Sequence, residues 1–249
     1  MKIDCIYTVE SKDSSEKPLE VATQIPFGIS MIATLLKNAG HEVRLIVFAQ
    51  NSNWKERLQD HIQKTPPGLI CFTAVSTQFA FVRRLAGIVK ELDPSVHTIL
   101  GGHHATLDPQ SVADCPSFDT ICVGEGDRAI LLLAQAIESG ETIEKIPHLW
   151  IKKTDGSIEK NAPNPFDQNL DELPNIDREM WRPFIVNFAQ YPSVLVGRGC
   201  PFKCTYCSNH AIANLSTGRY TRFRSPQSLI GEIKEILDME SAVESIYLE

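Results

Sequence analysis

The N-terminal part of the chain alternates short apolar segments with longer amphipathic ones. Short apolar runs are typical of buried strands, and apolar repeats of three to four residues are typical of helices. Because strands that alternate with helices form a parallel sheet covered on both faces, the pattern predicts a Rossmann-like, doubly wound α/β domain over residues 1–142. The predicted strands are residues 2–8, 41–48, 69–73, 96–100 and 120–123, and the predicted helices are residues 27–39, 54–64, 78–92 and 127–139.

Two of these helices carry further signals. Asp127 stands before the last of them as a candidate N-cap. Residues 27–39 have apolar side chains at helical spacing, which predicts one apolar helical face. The residues on this face are Phe27, Met31, Ile32, Leu35 and Leu36.

Small polar loops follow three of the predicted strands. Ligands bind outside the carboxyl ends of parallel strands, and glycine lets a ligand approach the backbone closely. We therefore predict a broad ligand at this edge, although the glycines could serve turn geometry alone. The candidate binding residues are Thr73, Ser76, Gly101, Gly102, His103, Gly124, Glu125 and Gly126.

A connecting region is predicted at residues 143–191. Residues 149–160 have the pattern of a hairpin around Asp155-Gly156. The residues that follow are rich in Pro, Asp and Asn, as in a linker, but they also carry Trp181, Phe184 and Phe188. These aromatic residues predict that the linker packs against a domain.

Three thiols lie close together near the start of a third segment, residues 192–249. Cys200, Cys204 and Cys207 form a CxxxCxxC cluster. Three thiolates can hold an iron–sulfur cluster and leave one iron open. A zinc site with His210 as fourth ligand is the alternative. The cluster follows a predicted strand and precedes a helix that Ser225 would cap, which predicts the start of a second parallel α/β unit.

Composition limits the partners and the compartment. With 24 Lys and Arg against 31 Asp and Glu, the net charge of −7 argues against general nucleic-acid binding. The basic stretch that contains Arg219, Arg222 and Arg224 is expected to be solvated or to face an anion. No apolar run could span a bilayer and no secretory signal is evident, so we expect a cytoplasmic protein without membrane association. Thiols stay reduced there, and four scattered cysteines are interpreted as buried small side chains: Cys5, Cys71, Cys115 and Cys122.

Residues 197–208, Gly-Arg-Gly-Cys-Pro-Phe-Lys-Cys-Thr-Tyr-Cys-Ser, resemble the signature of the radical S-adenosylmethionine (SAM) family. The resemblance implies a [4Fe–4S] cluster on Cys200, Cys204 and Cys207, whose open iron binds SAM for reductive cleavage to a 5′-deoxyadenosyl radical. It implies that Tyr206 lies near the adenine and Glu249 near the SAM amine. An electron donor such as flavodoxin or ferredoxin is also implied.

The N-terminal part resembles the cobalamin (B12)-binding domain that precedes many radical SAM domains. The resemblance is carried by Pro26-Phe27-Gly28 and by residues 39–43, 100–106, 123–126 and 170–174. It implies a corrin over the strand ends, in contact with the eight loop residues named above. The DxHxxG motif is absent, so we expect either base-off cobalamin without that motif's histidine ligand or a domain that has lost cobalamin.

The radical SAM segment is expected to be incomplete. A radical SAM (β/α) partial TIM barrel repeats its strand–helix unit several times, whereas residues 192–249 hold only the first units. The predicted architecture is therefore a B12-binding domain, a hairpin and linker, and a truncated N-terminal portion of the barrel.

The leading hypothesis is a cobalamin-dependent radical SAM enzyme, or its N-terminal portion. The expected reaction is methyl transfer to an unactivated carbon of a small-molecule or natural-product substrate. One alternative is a methylthiotransferase-like enzyme, with a second cluster held by three of the scattered cysteines. The other is a non-catalytic cobalamin-binding fragment. The sequence assigns no catalytic residue.

Iron analysis separates the two enzyme hypotheses. After anaerobic reconstitution with iron and sulfide, one cluster gives about four irons per chain and two clusters give about eight. We expect about four, and we expect the triple variant Cys200→Ala, Cys204→Ala, Cys207→Ala to retain none of them. A triple variant that keeps its iron would contradict the assignment of these ligands.

Overall fold

The computed structural model describes residues 1–10 and 17–249. Its strands are β1 (Lys2–Val9), β2 (Leu19–Val21), β3 (Glu42–Ala49), β4 (Leu69–Thr73), β5 (His97–Gly101), β6 (Thr120–Cys122), β7 (Leu149–Lys152), β8 (Ile158–Lys160), β9 (Ile185–Asn187), β10 (Ser193–Val194), β11 (Gly197–Arg198), β12 (Arg222–Phe223) and β13 (Tyr247–Leu248). Its α-helices are α1 (Phe27–Asn38), α2 (Trp54–Lys64), α3 (Ser76–Leu92), α4 (Gly102–Leu107), α5 (Pro109–Ala113), α6 (Asp127–Ser139), α7 (Asn209–Ala213) and α8 (Pro226–Met239). Short 3-10 helices span Ala22–Gln24, Leu170–Glu172 and Arg178–Phe184.

A central sheet has the strand order β3-β1-β4-β5-β6-β7-β8. The strands from β3 to β6 are parallel, and the hairpin β7–β8 adds two antiparallel strands at one edge. Successive side chains of β1 point to opposite faces, so Cys5 packs with α1 and α6, whereas Ile6 packs with α2 and α3. The predicted doubly wound α/β fold is confirmed.

Two short helices, α4 and α5, lie where the sequence predicted a loop. The chain passes directly from β5 into α4 through Gly102, which has a φ of +87°. Asp108 then caps α5, because its Oδ1 accepts a hydrogen bond from the backbone N of Ser111 at 3.3 Å and Pro109 occupies the first turn. The Asp-Pro-x-Ser sequence at residues 108–111 is the local signal for the start of this helix.

The helix α1 is covered on more than its apolar face. Leu36 is buried in the core, and Phe27, Met31 and Ile32 are half-buried and pack against it. Ser30 and Thr34 are also buried, because the linker covers the polar side of the helix.

The linker packs on α1, as its aromatic residues predicted. Trp181 is 1% exposed, and its indole Nε1 donates to Ser30 Oγ at 2.9 Å. The backbone N of Asp177 donates to Thr34 Oγ1 at 2.8 Å, and β9 pairs with β2. Burying these hydroxyls is tolerated because each one has a hydrogen-bond partner. The division at residues 142 and 191 stays a prediction, but the hairpin and the linker both pack against the N-terminal sheet and its helices.

The C-terminal residues form a strand–helix–strand unit in which α8 connects the parallel neighbours β10 and β13. The helix α8 begins as predicted. The hydroxyl of Ser225 accepts a hydrogen bond from the backbone N of Ser228 at 3.1 Å, and Pro226 is the first helical residue.

The antiparallel pair β11–β12 was not predicted. It depends on Gly197 and Gly199. A Cβ atom on Gly197 would overlap the backbone carbonyl group of Arg222, and a Cβ atom on Gly199 would overlap that of Tyr220. These two glycines therefore allow the residues before the cysteines to pair closely with the residues before α8.

Replacement of Trp181 tests the packing of the linker. We expect Trp181→Ala to lower the free energy of unfolding by about 3–5 kcal/mol, because it removes a buried indole and leaves a cavity. Trp181→Phe should lower the free energy of unfolding by about 1–2 kcal/mol, because this change removes the hydrogen bond to Ser30 but leaves a smaller cavity than alanine does. Val186 lies in the same segment and is 47% exposed, so it provides the control. Val186→Ala should change the free energy of unfolding by less than about 0.5 kcal/mol. Urea unfolding measures these values, and equal effects of Trp181→Ala and Val186→Ala would contradict the packing.

Candidate functional site

A cavity of about 810 Å³ lies at the carboxyl edge of the parallel strands. Thr73, Gly101 and Gly124 form its floor at the ends of β4, β5 and β6, and the first turns of α1 form one wall. Residues of the C-terminal unit, among them Arg198 and Glu249, close the opposite side. The strand order reverses between β1 and β4, and such a switch point is where open α/β sheets bind ligands.

Most of the loop residues that the sequence predicted to bind a corrin line this cavity. Ser76 does not, although it lies close to it as the exposed first residue of α3. Its Oγ lies 3.2 Å from Nδ1 of the buried His104, and Ser111 Oγ lies 3.1 Å from Nε2 of the same ring. Ser76 therefore holds α4 in place. The lining residues of the predicted set are Thr73, Gly101, Gly102, His103, Gly124, Glu125 and Gly126.

The two residues predicted to contact SAM lie in different surroundings. Glu249 lines the cavity, and its backbone N donates to Val194 O at 3.0 Å, which holds it beside β10. Tyr206 is 91% exposed and lies outside the cavity wall. The structure therefore brings Glu249, but not Tyr206, to the predicted corrin residues.

Glycines at the cavity differ in whether the surrounding structure leaves room for a side chain. A Cβ atom on Gly28, in the first turn of α1, would meet no atom within 4 Å. A Cβ atom on Gly102 would lie 2.5 Å from Thr73 Oγ1, and the positive φ of Gly102 disfavours any other residue. Gly102 is thus required by the turn itself, whereas Gly28 leaves free space at the wall. A large ligand with a flat apolar ring, such as a corrin, fits this wall and the backbone-lined floor.

The cysteine cluster lies beside this cavity. Cys204 is exposed, and Cys200 and Cys207 are half-exposed free thiols. Gly199 and Asn209, which flank the three cysteines, line the cavity. Among residues 1–10 and 17–249, no group of three or more His, Cys, Asp and Glu side chains has the geometry to hold a metal ion, so the structure does not gather the three thiols at one point or add His210 to them. The donor set fits a [4Fe–4S] cluster by residue type and spacing.

The scattered cysteines of the N-terminal domain are buried, as predicted. Cys71 and Cys122 border the cavity, but a hydrogen bond to Cys5 and burial raise the pKa of Cys71, and burial raises the pKa of Cys122 to about 12. Both thiols therefore stay protonated and unreactive at neutral pH. Cys115 lies on the opposite face of the sheet from the other three.

Two arginine–carboxylate pairs join the C-terminal unit to residues 123–127, which comprise the loop after β6 and the first residue of α6. Arg198 donates to both carboxylate oxygens of Asp127, at 2.6 and 3.0 Å. Arg222, which is 3% exposed, donates to both carboxylate oxygens of Glu125, at 2.9 and 2.5 Å. Asp127 is the first residue of α6 and Gly126 is the N-cap, so the predicted capping role of Asp127 was wrong. Sequence analysis missed both pairs because their members are distant along the chain.

These contacts also correct the interpretation of the basic stretch. Arg222 is buried against Glu125, and Arg224 bonds the buried carboxylate of Glu232, so neither side chain is solvated. Each arginine faces an anion that the chain itself supplies. Burial lowers the pKa of Arg198, but the carboxylates of Asp127 and Glu125 together hold that pKa above its ordinary value.

A second unpredicted contact holds the residues after the cysteines. The hydroxyl of Tyr220 donates to Asn209 Oδ1 at 2.7 Å, and its ring packs on Phe166 with 5.3 Å between centroids. All three residues line the cavity. Burial raises the pKa of Tyr220, so the phenol stays a hydrogen-bond donor at neutral pH.

The comparisons with known proteins agree with this geometry. Residues 22–134 match the family of the B12 binding domain. An uncharacterized methyltransferase of Pyrococcus horikoshii is 27% identical over 237 residues, which cover 94% of this chain and 50% of that protein. An anaerobic magnesium-protoporphyrin IX monomethyl ester cyclase of Rubrivivax gelatinosus is 26% identical over 228 residues, which cover 85% of this chain and 39% of that protein.

Among solved structures, the radical SAM methyltransferase TsrM of Kitasatospora setae, with tryptophan and a SAM analogue bound, has a TM-score of 0.72 at 17% identity. That match covers 100% of this chain and 47% of TsrM, and it shows a shared fold. Together the matches confirm the predicted resemblance to radical SAM proteins with an N-terminal cobalamin-binding domain. The chain spans about half the length, or less, of the relatives that it matches.

The helices of the described residues are short. The longest, α3, has 17 residues, and Arg83 and Arg84 on it are exposed. Within residues 1–10 and 17–249, no helix has both the length and the apolar composition needed to cross a membrane.

The two types of glycine give opposite predictions. We expect Gly28→Ala to leave the free energy of unfolding unchanged or to raise it by up to about 1 kcal/mol, because alanine favours the helix and the space is free. We expect Gly102→Ala to lower it by about 1–3 kcal/mol or more, because the positive φ and the contact with Thr73 are both unfavourable. Thermal unfolding followed by circular dichroism compares the two, and a destabilised Gly28→Ala variant would contradict the open wall.

Proposed function

We propose that the chain is the N-terminal portion of a cobalamin-dependent radical SAM enzyme. The observation that carries this proposal is a cavity shared by the B12-binding region and the residues beside the cysteine cluster. Gly124 and Gly126 reach it from the sheet, and Gly199 and Asn209 reach it from the other side. Groups held at these two walls would face the same cavity, as a reaction between them requires.

The residues of the N-terminal domain supply the binding surface for a corrin. The glycine loops allow a flat ring to lie close to the strand ends. Phe27, Met31 and Ile32 form an apolar wall that excludes water from that ring. His103 also lines the cavity from the start of α4. We propose base-off binding without a histidine ligand of the DxHxxG type, since the chain lacks the motif that supplies this cobalt ligand in other cobalamin proteins.

The C-terminal unit supplies the ligands for the other two cofactors. Cys200, Cys204 and Cys207 offer three thiolates and leave one iron of a [4Fe–4S] cluster free for SAM. Glu249 offers a carboxylate that could accept hydrogen bonds from the SAM ammonium group. The predicted contact of Tyr206 with the adenine requires its exposed ring to be covered by SAM or by a longer chain.

The reaction that we propose is methyl transfer to an unactivated carbon of a small-molecule or natural-product substrate. A reduced cluster would supply one electron for SAM cleavage, and cobalamin would carry the methyl group. Two of the compared proteins are named methyltransferases, which supports this reaction over the cyclase chemistry named for the Rubrivivax relative.

We also propose the partners and the compartment. A flavodoxin or a ferredoxin would supply the electron. The exposed free thiol of Cys204 suits a reducing compartment such as the cytoplasm. Nucleic acid is not a favoured partner, because Arg222 and Arg224 are already paired with carboxylates of the chain.

Two other functions remain as alternatives. A two-cluster methylthiotransferase would need three thiolates from the N-terminal domain, but Cys115 faces away from the other cysteines and the pKa values of Cys71 and Cys122 are raised. A non-catalytic cobalamin-binding module is better supported, because the floor and the α1 wall of the cavity both belong to the N-terminal domain.

An assay on the protein that contains this chain distinguishes these functions. After anaerobic reconstitution with iron, sulfide and hydroxocobalamin, we expect reduction with dithionite to release 5′-deoxyadenosine from SAM. Cys204→Ala should abolish release and leave cobalamin binding unchanged, because Cys204 does not line the cavity. Wild-type protein that retains cobalamin without releasing 5′-deoxyadenosine would favour the binding module. Wild-type protein that retains no cobalt would contradict the proposal.

A further inference from the structure

The two arginines that contact the loop between β6 and α6 lie directly opposite each other in a very short strand pair. Arg198 of β11 and Arg222 of β12 are cross-strand partners. Like charges at directly opposite positions destabilise an antiparallel pair. The pair β11–β12 therefore depends on the carboxylates of Glu125 and Asp127, which neutralise the two guanidinium groups.

Because these ion pairs are largely buried, removing one member costs more than it would at an exposed position. The side chains of Glu125 and Asp127 are 23% and 14% exposed, and that of Arg222 is 2% exposed. Both contacts are bidentate, the geometry in which arginine and carboxylate bind most strongly. A buried charge whose partner is removed is strongly unfavourable, so loss of either member should release the strand pair.

Glu125 belongs to the same loop as the glycines at the cavity, and Asp127 follows that loop as the first residue of α6. Gly124 and Gly126 stand on either side of Glu125, and all three residues line the cavity. On the other side, Arg198 lies two residues before Cys200. One short loop thus contacts the cavity with its backbone and holds the segment before the cysteines with its side chains.

We propose that Arg198 and Arg222 are positioning residues that link occupancy of the corrin cavity to the placement of the cysteine cluster. A ligand that packs on Gly124 and Gly126 would fix the loop, and the fixed carboxylates would hold β11 and β12. This inference rests on the proposed function, because it takes the corrin as the ligand. Such linkage is reciprocal. If the corrin raises the equilibrium constant for docking of the strand pair by some factor, docking raises the affinity for the corrin by the same factor.

Hydrogen exchange of residues 197–224, with and without hydroxocobalamin, tests this linkage. In the wild-type chain we expect slow exchange that slows further when hydroxocobalamin binds. In Arg222→Gln we expect faster hydrogen exchange of residues 197–224, and hydroxocobalamin should not slow that exchange. The affinity of this variant for hydroxocobalamin should be lower by about 5- to 150-fold, the usual range of coupling between two sites. Arg222→Lys should be intermediate, because lysine keeps the charge but not the bidentate geometry.

Arg219→Gln is the matched control, because it removes the same charge from the same segment at an exposed position. Both exchange and affinity should stay at wild-type values in this variant. If they change as much as in Arg222→Gln, net charge rather than the ion pair is responsible and the inference fails.

Glu125→Gln tests the same pair from the other domain and remains informative if Arg222→Gln fails to fold. Its effects on hydrogen exchange and on hydroxocobalamin affinity should match those of Arg222→Gln. The double variant should exchange no faster and bind no more weakly than either single variant. Additive effects would overturn the inference. A wild-type chain that binds no hydroxocobalamin would overturn the proposed function together with the linkage, whereas binding without protection of residues 197–224 would overturn the linkage alone.

Discussion

The parallel arrangement of five strands is the constraint on which the rest of the structure depends. Because these strands run in one direction, their carboxyl ends and the loops after them meet at one edge of the sheet. Residues separated along the chain, such as Thr73, Gly101 and Gly124, thereby form one floor. The helices on both faces bury the apolar strands and leave this edge as the place where a ligand can approach the backbone.

The second half of the chain turns this edge into a cavity. The linker fixes itself to α1 through Trp181, and the residues after it reach back over the strand ends. Arg198 and Arg222 hold them there through carboxylates of the loop after β6. The cavity is therefore a product of packing between the two parts of the chain, which explains why its far wall includes residues that flank the cysteine cluster.

The sequence predicted the elements whose signals are local. The bounds of α2 and β4 matched because apolar spacing and flanking turns defined them, and the CxxxCxxC spacing identified the cysteine cluster. The pair β11–β12 escaped prediction because two residues per strand show no periodicity. The ion pairs escaped it because Asp127 and Arg198 are 71 positions apart, and Glu125 and Arg222 are 97 apart. Such contacts arise only once the domains pack together, so no local pattern reports them.

The claim that cobalamin occupies this cavity is tested most directly by titrating hydroxocobalamin into the wild-type chain and into Gly28→Phe. Gly28 lines the cavity and a Cβ atom there meets nothing within 4 Å, so the larger side chain is expected to occupy space that the ligand would need. The account predicts saturable binding to the wild-type chain and an affinity lower by about tenfold or more in the variant, a difference of about 1.4 kcal/mol or more. Equal affinity of the two proteins would contradict it.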